Sequence, residues 1–153
     1  MKTLVAGIGS TIRTDDGVGV AVVRALGEVA LPGEVDRVEL GTAGLGLAEQ
    51  ADGYEQLIVV DAIVSGAEPG TIQLLDGAEV ARAVHLGQGH EADLPVSLAV
   101  AQKLLGQRMP ARVLVVAIEA ADLTTFSEQL SPAVRAAVPR AVDRVLGLLA
   151  ADA

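Results

Sequence analysis

The chain contains no cysteine, which excludes a thiol nucleophile, a disulfide framework and any cysteine-based metal site. Tyr54 and Phe126 are its only aromatic side chains, so the core must be aliphatic and no platform exists on which nucleic-acid bases could stack. Basic residues are also scarce, with 11 Lys and Arg against 20 Asp and Glu and a net charge of -9. A nucleic-acid backbone needs the opposite balance. A basic protein patch or a positively charged peptide is the more natural partner for such a surface. No segment approaches the roughly 20 apolar residues of a membrane span. The N-terminus has one lysine and runs straight into a strand-like segment, without the layout of a signal peptide. A cytoplasmic protein with neither a nucleic-acid nor a membrane partner is expected. Gly-x-Ser-x-Gly is absent as well, so a covalent serine mechanism built on a nucleophile elbow is not expected.

What the chain does have is Ala, Val and Leu: 51% of its 153 residues are hydrophobic, enough for a substantial core. Residues 1–153 are expected to form one domain. Strand-like and helix-like segments alternate throughout, the pattern of an α/β fold. Strands are expected at Lys2–Ile8, Val35–Leu40, Gln56–Val60 and Arg112–Ile118, with a short antiparallel edge strand at Thr71–Leu75. Helices are expected at Asp16–Leu26, Leu45–Ala51 and Ala78–Val84, then from Pro95 to Leu105 and from an N-cap at Ser131 to about Leu149. Pro139 lies inside that last helix and should kink it or split it in two. The expected architecture is a three-layer α/β/α domain around a twisted, mostly parallel sheet of about five strands.

In such sheets ligands bind outside the carboxyl ends of the strands. The first strand ends in Gly7-Ile8-Gly9-Ser10, and Thr14-Asp15-Asp16-Gly17 opens the first helix. A Gly-x-Gly turn before a helix usually cradles phosphate. Here two carboxylates stand at the mouth and would repel one, so the turn suits a cation. The third strand runs Leu57-Ile58-Val59-Val60 into Asp61, and the last strand ends in Glu119. A polar loop carrying His85 and His90 lies between them. Two Asp and one His at one crevice would form a three-ligand oxygen/nitrogen set suited to a borderline divalent ion such as zinc or nickel.

Each residue also has a plainer reading. Asp15 is expected to be the N-cap of the first helix, and Asp16 a first-turn acid that complements the helix dipole. Asp61 would cap a turn, Glu119 would mark the strand's exit from the core, and either histidine would be ordinary surface. Residue chemistry alone does not choose between His85 and His90.

Taken together, the motifs resemble those of the hydrogenase maturation endopeptidases, which trim the C-terminal extension from the large subunit of nickel–iron hydrogenases. The resemblance runs through Gly7-Ile8-Gly9-Ser10, Asp15-Asp16-Gly17-Val18-Gly19 and Gly41-Thr42-Ala43-Gly44-Leu45. It continues in Gly53–Ala62 and closes in Leu130-Ser131-Pro132-Ala133-Val134. It implies that Asp16 and Asp61 are catalytic and that Asp16, Asp61 and a loop histidine contact the metal. His90, shortly before Leu94-Pro95, matches the family's histidine, with His85 as the alternative. Gly41, Thr42 and Gly44 are implied to contact substrate. The implied metal is nickel brought in by the precursor, for which zinc or another divalent ion could substitute, and the implied partner is the nickel-loaded large-subunit precursor. Ser10 departs from the family's usual Asn.

Two rival readings remain. A dinucleotide-binding Rossmann-like domain would use the Gly7–Gly9 turn for pyrophosphate and Glu39 for ribose, but Ile12 occupies the third glycine position. A non-catalytic binding member of the protease fold would keep the architecture without the activity.

Overall fold

The computed structural model describes residues 1–41, 44–82 and 93–151. Its centre is a five-stranded sheet in the order β2-β1-β3-β5-β4. The strands are β1 (Thr3–Ile8), β2 (Val35–Leu40), β3 (Gln56–Ile63), β4 (Ile72–Asp76) and β5 (Arg112–Glu119). Strands β2, β1, β3 and β5 run parallel, and β4 pairs antiparallel with β5 at one edge, as the sequence leads one to expect. The three inner strands are apolar runs because helices cover both of their faces; every residue of β1 is buried.

On one face α1 (Val18–Leu26) and α5 (Pro132–Ala151) pack over Val5, Ile58, Val60, Val116 and Ile118. On the other, α2 (Gly44–Ala51) and α4 (Asp93–Leu105) pack over Leu4, Ala6, Leu57, Val59 and Val115. The short α3 (Gly77–Arg82) joins them through Val80 and Ala81. The alternation of β3 explains the division: even-numbered side chains face α1 and α5, odd-numbered ones face α2 and α4. Full burial of a Leu such as Leu57 stabilises the fold by roughly 1.5–3 kcal/mol.

Several element ends shift by one or two residues from expectation, and three further differences matter more. The helix after β1 does not begin at Asp16; a 3-10 turn over Thr14–Gly17 precedes α1. Strand β3 continues through Ile63, so Asp61 stands within the strand, opposite Ala117 of β5, and not at its end. Helix α5 runs from Pro132 to Ala151 without being split at Pro139. Its buried residues Val134, Ala137, Ala141, Val145 and Leu149 follow helical spacing, while Pro139 is exposed. The carbonyl deprived of its partner belongs to exposed Arg135, where water can satisfy it. Among the described residues, no helix is long and apolar enough to cross a membrane.

The chain leaves β1 through α1 to β2 and returns through α2 on the opposite face to β3. The connections therefore part between β1 and β3, and their carboxyl ends border the crevice where such sheets take ligands.

Candidate active site

The crevice begins with the turn after β1. Gly9 has φ +133, and a Cβ there would collide with the carbonyl oxygen of Asp16, so only glycine lets the 3-10 turn fold back this closely. The folding back brings the Asp16 carboxylate onto the end of β1, where its Oδ2 accepts the Ser10 N–H at 2.8 Å. Gly19 makes the second close approach: its missing side chain lets α1 lie against the carbonyls of Val60 and Ile8. As a result the turn bearing Asp16 packs against β3, the strand that carries Asp61.

Asp16 and Asp61 are both half-buried. Asp61 Oδ1 accepts the N–H of Ala62 at 2.8 Å. Its position in the β3 alternation directs it to the side of Leu57 and Val59, the face covered by α2 and α4. Helix α4 leads into the start of β5, so its own start lies toward the sheet's carboxyl edge. His85 and His90 precede that start and lie outside the described residues, as does Thr42. Gly41 is at the same edge, its carbonyl and that of Leu40 sharing the Gly9 N–H at 3.3 and 3.2 Å. Gly44 opens α2.

The neighbouring acids are built differently. Asp15 is not an N-cap; its carboxylate is wholly buried and accepts bonds from residues far along the chain. Oδ2 accepts the N–H groups of Ala121 and Asp122 at 2.9 and 3.0 Å and the Ser131 hydroxyl at 2.8 Å, while Oδ1 accepts the Ser131 N–H at 2.8 Å. Glu119, also buried, accepts the Ser65 N–H and hydroxyl and the Ala67 N–H, each at 2.8 Å to Oε1. Such carboxylates have their lone pairs occupied by the protein. Local spacing gives no hint of this, because the donors to Asp15 stand more than a hundred residues away. One clue existed: two adjacent acids at a helix start cannot both serve as its cap.

Asp122 closes the loop that Asp15 holds. Hydrogen bonds from the Thr125 hydroxyl and amide, then from the Thr124 amide, hold its carboxyl at about 2, below the ordinary 3.8.

Two half-buried carboxylates offer hard oxygen donors that fit a divalent cation. Among the described residues, no group of three or more His, Cys, Asp or Glu is arranged to hold a metal ion. The dinucleotide alternative fares poorly. The Ser10 amide, which would cradle a phosphate, already donates to Asp16, and Glu39 is ion-paired with Arg24 at 2.9 Å on the surface.

The sequence profile of the hydrogenase maturation proteases matches residues 20–148. The hydrogenase expression/formation protein HupD of Bradyrhizobium diazoefficiens is 32% identical over 152 residues, which cover 97% of this chain and 78% of HupD. Among solved structures, the hydrogenase maturating endopeptidase HybD from E. coli superposes with a TM-score of 0.87 at 29% identity, covering 99% of this chain and 94% of that one. The nickel–iron hydrogenase maturation protease HybD from Thermococcus kodakarensis gives a TM-score of 0.80 at 26% identity, covering 97% and 99%. With most of its length matched by the profile and the same α/β fold throughout, the chain belongs to the hydrogenase maturation protease family and is a peptidase.

Proposed function

We propose that this peptidase removes the C-terminal extension of a nickel–iron hydrogenase large-subunit precursor once nickel has been inserted, by hydrolysing one peptide bond at the β1–β3 crevice. The observation that carries the reading is the division among the acids. Asp15 and Glu119 are buried among internal donors, whereas Asp16 and Asp61 stand half-buried and reachable from solvent at the carboxyl edge. The family's substrate class supplies the rest.

In this reading nickel is the precursor's cargo. Asp16, Asp61 and His90, or His85 in its place, serve as its ligands, and Gly41, Thr42 and Gly44 bind the substrate. A divalent ion so held polarises a scissile carbonyl or activates water. Zinc or another divalent ion would serve as a surrogate. The Ser10 N–H fixes one Asp16 oxygen, and the Ala62 N–H donates to Asp61 Oδ1. In this reading Asp16 or Asp61 also serves as the general base for the attacking water. This reading puts the reaction in the cytoplasm.

The test is to incubate purified protein with the precursor, loaded with nickel or not, and to measure the precursor's C-terminal mass. Shortening in the loaded sample alone supports the reading. A non-catalytic binding member would bind the loaded precursor and leave its mass unchanged.

A further inference from the structure

We infer that the exit of β5, residues 119–122, is a brace that sets Asp16 and Asp61 relative to one another, and that Asp15 and Glu119 are the positioning residues that fasten it. The inference rests on the proposed role of Asp16 and Asp61.

Asp16 lies in the connection after β1 and Asp61 within β3, yet both are tied to the same four consecutive residues. On the Asp61 side, the Ala120 N–H donates to the Ile63 carbonyl at 2.9 Å, carrying the β3–β5 pairing past Asp61. The Glu119 carboxylate then gathers Ser65 and Ala67, the residues into which Asp61's strand runs. On the Asp16 side, the Asp15 carboxylate takes the N–H groups of Ala121 and Asp122, and the Asp15 N–H returns a bond to the Asp122 carbonyl at 3.0 Å. The backbone just before it is also held against its preference. Thr14 is the one described non-glycine residue with positive φ, at 51, which is unusual for a β-branched side chain. Its N–H donates to the Ser127 carbonyl at 2.9 Å and its hydroxyl to the Thr125 carbonyl at 2.6 Å. A conformation of this kind persists only where the surroundings over-determine it.

The chemistry explains why acids occupy these positions. Most of the gathered groups are backbone N–H groups, which can only donate, and a carboxylate offers acceptors on both oxygens. Asn or Gln would fill the same volume but turn an NH2 group toward a donor. Asp15→Asn and Glu119→Gln therefore loosen the brace with almost no change in shape.

The test compares those two variants with Ser131→Ala, which removes one donor and keeps the Asp15 carboxylate, and with Val145→Ala, a core change remote from the brace. Hydrogen exchange is followed at the Ser10 amide, which reports the seat of Asp16, and at the Ala62 amide, which reports Asp61. Asp15→Asn should speed Ser10 exchange by ~10-fold or more relative to the Ile58 and Val116 amides, and Glu119→Gln should do the same at Ala62. Ser131→Ala should give a smaller change at Ser10, and it keeps the test open should Asp15→Asn fail to fold. In precursor cleavage, kcat per folded molecule should fall about tenfold with KM nearly unchanged, while Val145→Ala lowers stability and leaves kcat alone. If Ser10 and Ala62 exchange only in step with the core amides, Asp15 and Glu119 merely hold the fold and the inference is overturned. It is equally overturned if the braced variants keep the parental kcat. Failure of the parental protein to cleave would instead reject the proposed substrate, and the exchange data would still decide the brace.

Discussion

Two regions at the carboxyl edge of the sheet hold two acids each and use them in opposite ways. Around the exit of β5, Asp15 and Glu119 are buried and surrounded by donors. In the crevice between β1 and β3, Asp16 and Asp61 are only half-buried and remain partly open to solvent. Asp15 and Asp16 are adjacent in sequence, so residue type and position do not separate the roles; the neighbouring donors do. A carboxylate sealed in the interior among donors holds structure, and one that keeps solvent access is reachable by a ligand.

The sharpest way to break this contrast is to remove the crevice acids. Asp16→Ala or Asp61→Ala should reduce precursor cleavage by ~10²–10⁴-fold, read from product mass against time, with the urea midpoint little changed. The converse change should act on stability first. Asp15→Ala strands donors in the interior and should cost about 3–5 kcal/mol in a urea titration. A variant equally destabilised through packing calibrates the difference: Leu57→Ala, wholly buried on the sheet face that α2 and α4 cover, should cost about 2–5 kcal/mol and leave kcat per folded molecule intact.

Acid should probe the loop that Asp15 gathers. The Asp122 carboxyl is lowered in the folded protein, so its stabilising contribution is complete above the ordinary value of 3.8 and is lost as pH falls through about 2. The Thr124 and Thr125 amide resonances should shift over that window, and Asp122→Asn should abolish the shift. The smallest effect is expected at the surface, where Arg24→Ala breaks an exposed pair with Glu39 and should alter neither stability nor cleavage measurably.

Much of this arrangement can be read from the residues. The apolar runs of β1, β3 and β5 announce a buried parallel sheet, and the short segment near Leu74 emerges as the antiparallel edge strand because it is half-polar. Asp16 and Asp61 stand at the carboxyl edge, where a strand-end reading puts them, although β3 runs two residues beyond Asp61. Asp15 was illegible as anything but a cap, since helix-start statistics are local and its partners lie beyond β5. Glu119 has the look of a strand terminus for the same reason. Pro139 misleads in the other direction: the rule against proline in a helix assumes a carbonyl with no other partner, and on an exposed face water supplies one.

The measurement that bears most directly on the central claim is the C-terminal mass of a hydrogenase large-subunit precursor after incubation with the parental protein and with the Asp16→Ala and Asp15→Asn variants, each with and without nickel loading. The account predicts one shortened product from the nickel-loaded precursor with the parental protein, none with Asp16→Ala, and slower formation of the same product with Asp15→Asn. Full processing by Asp16→Ala would contradict it.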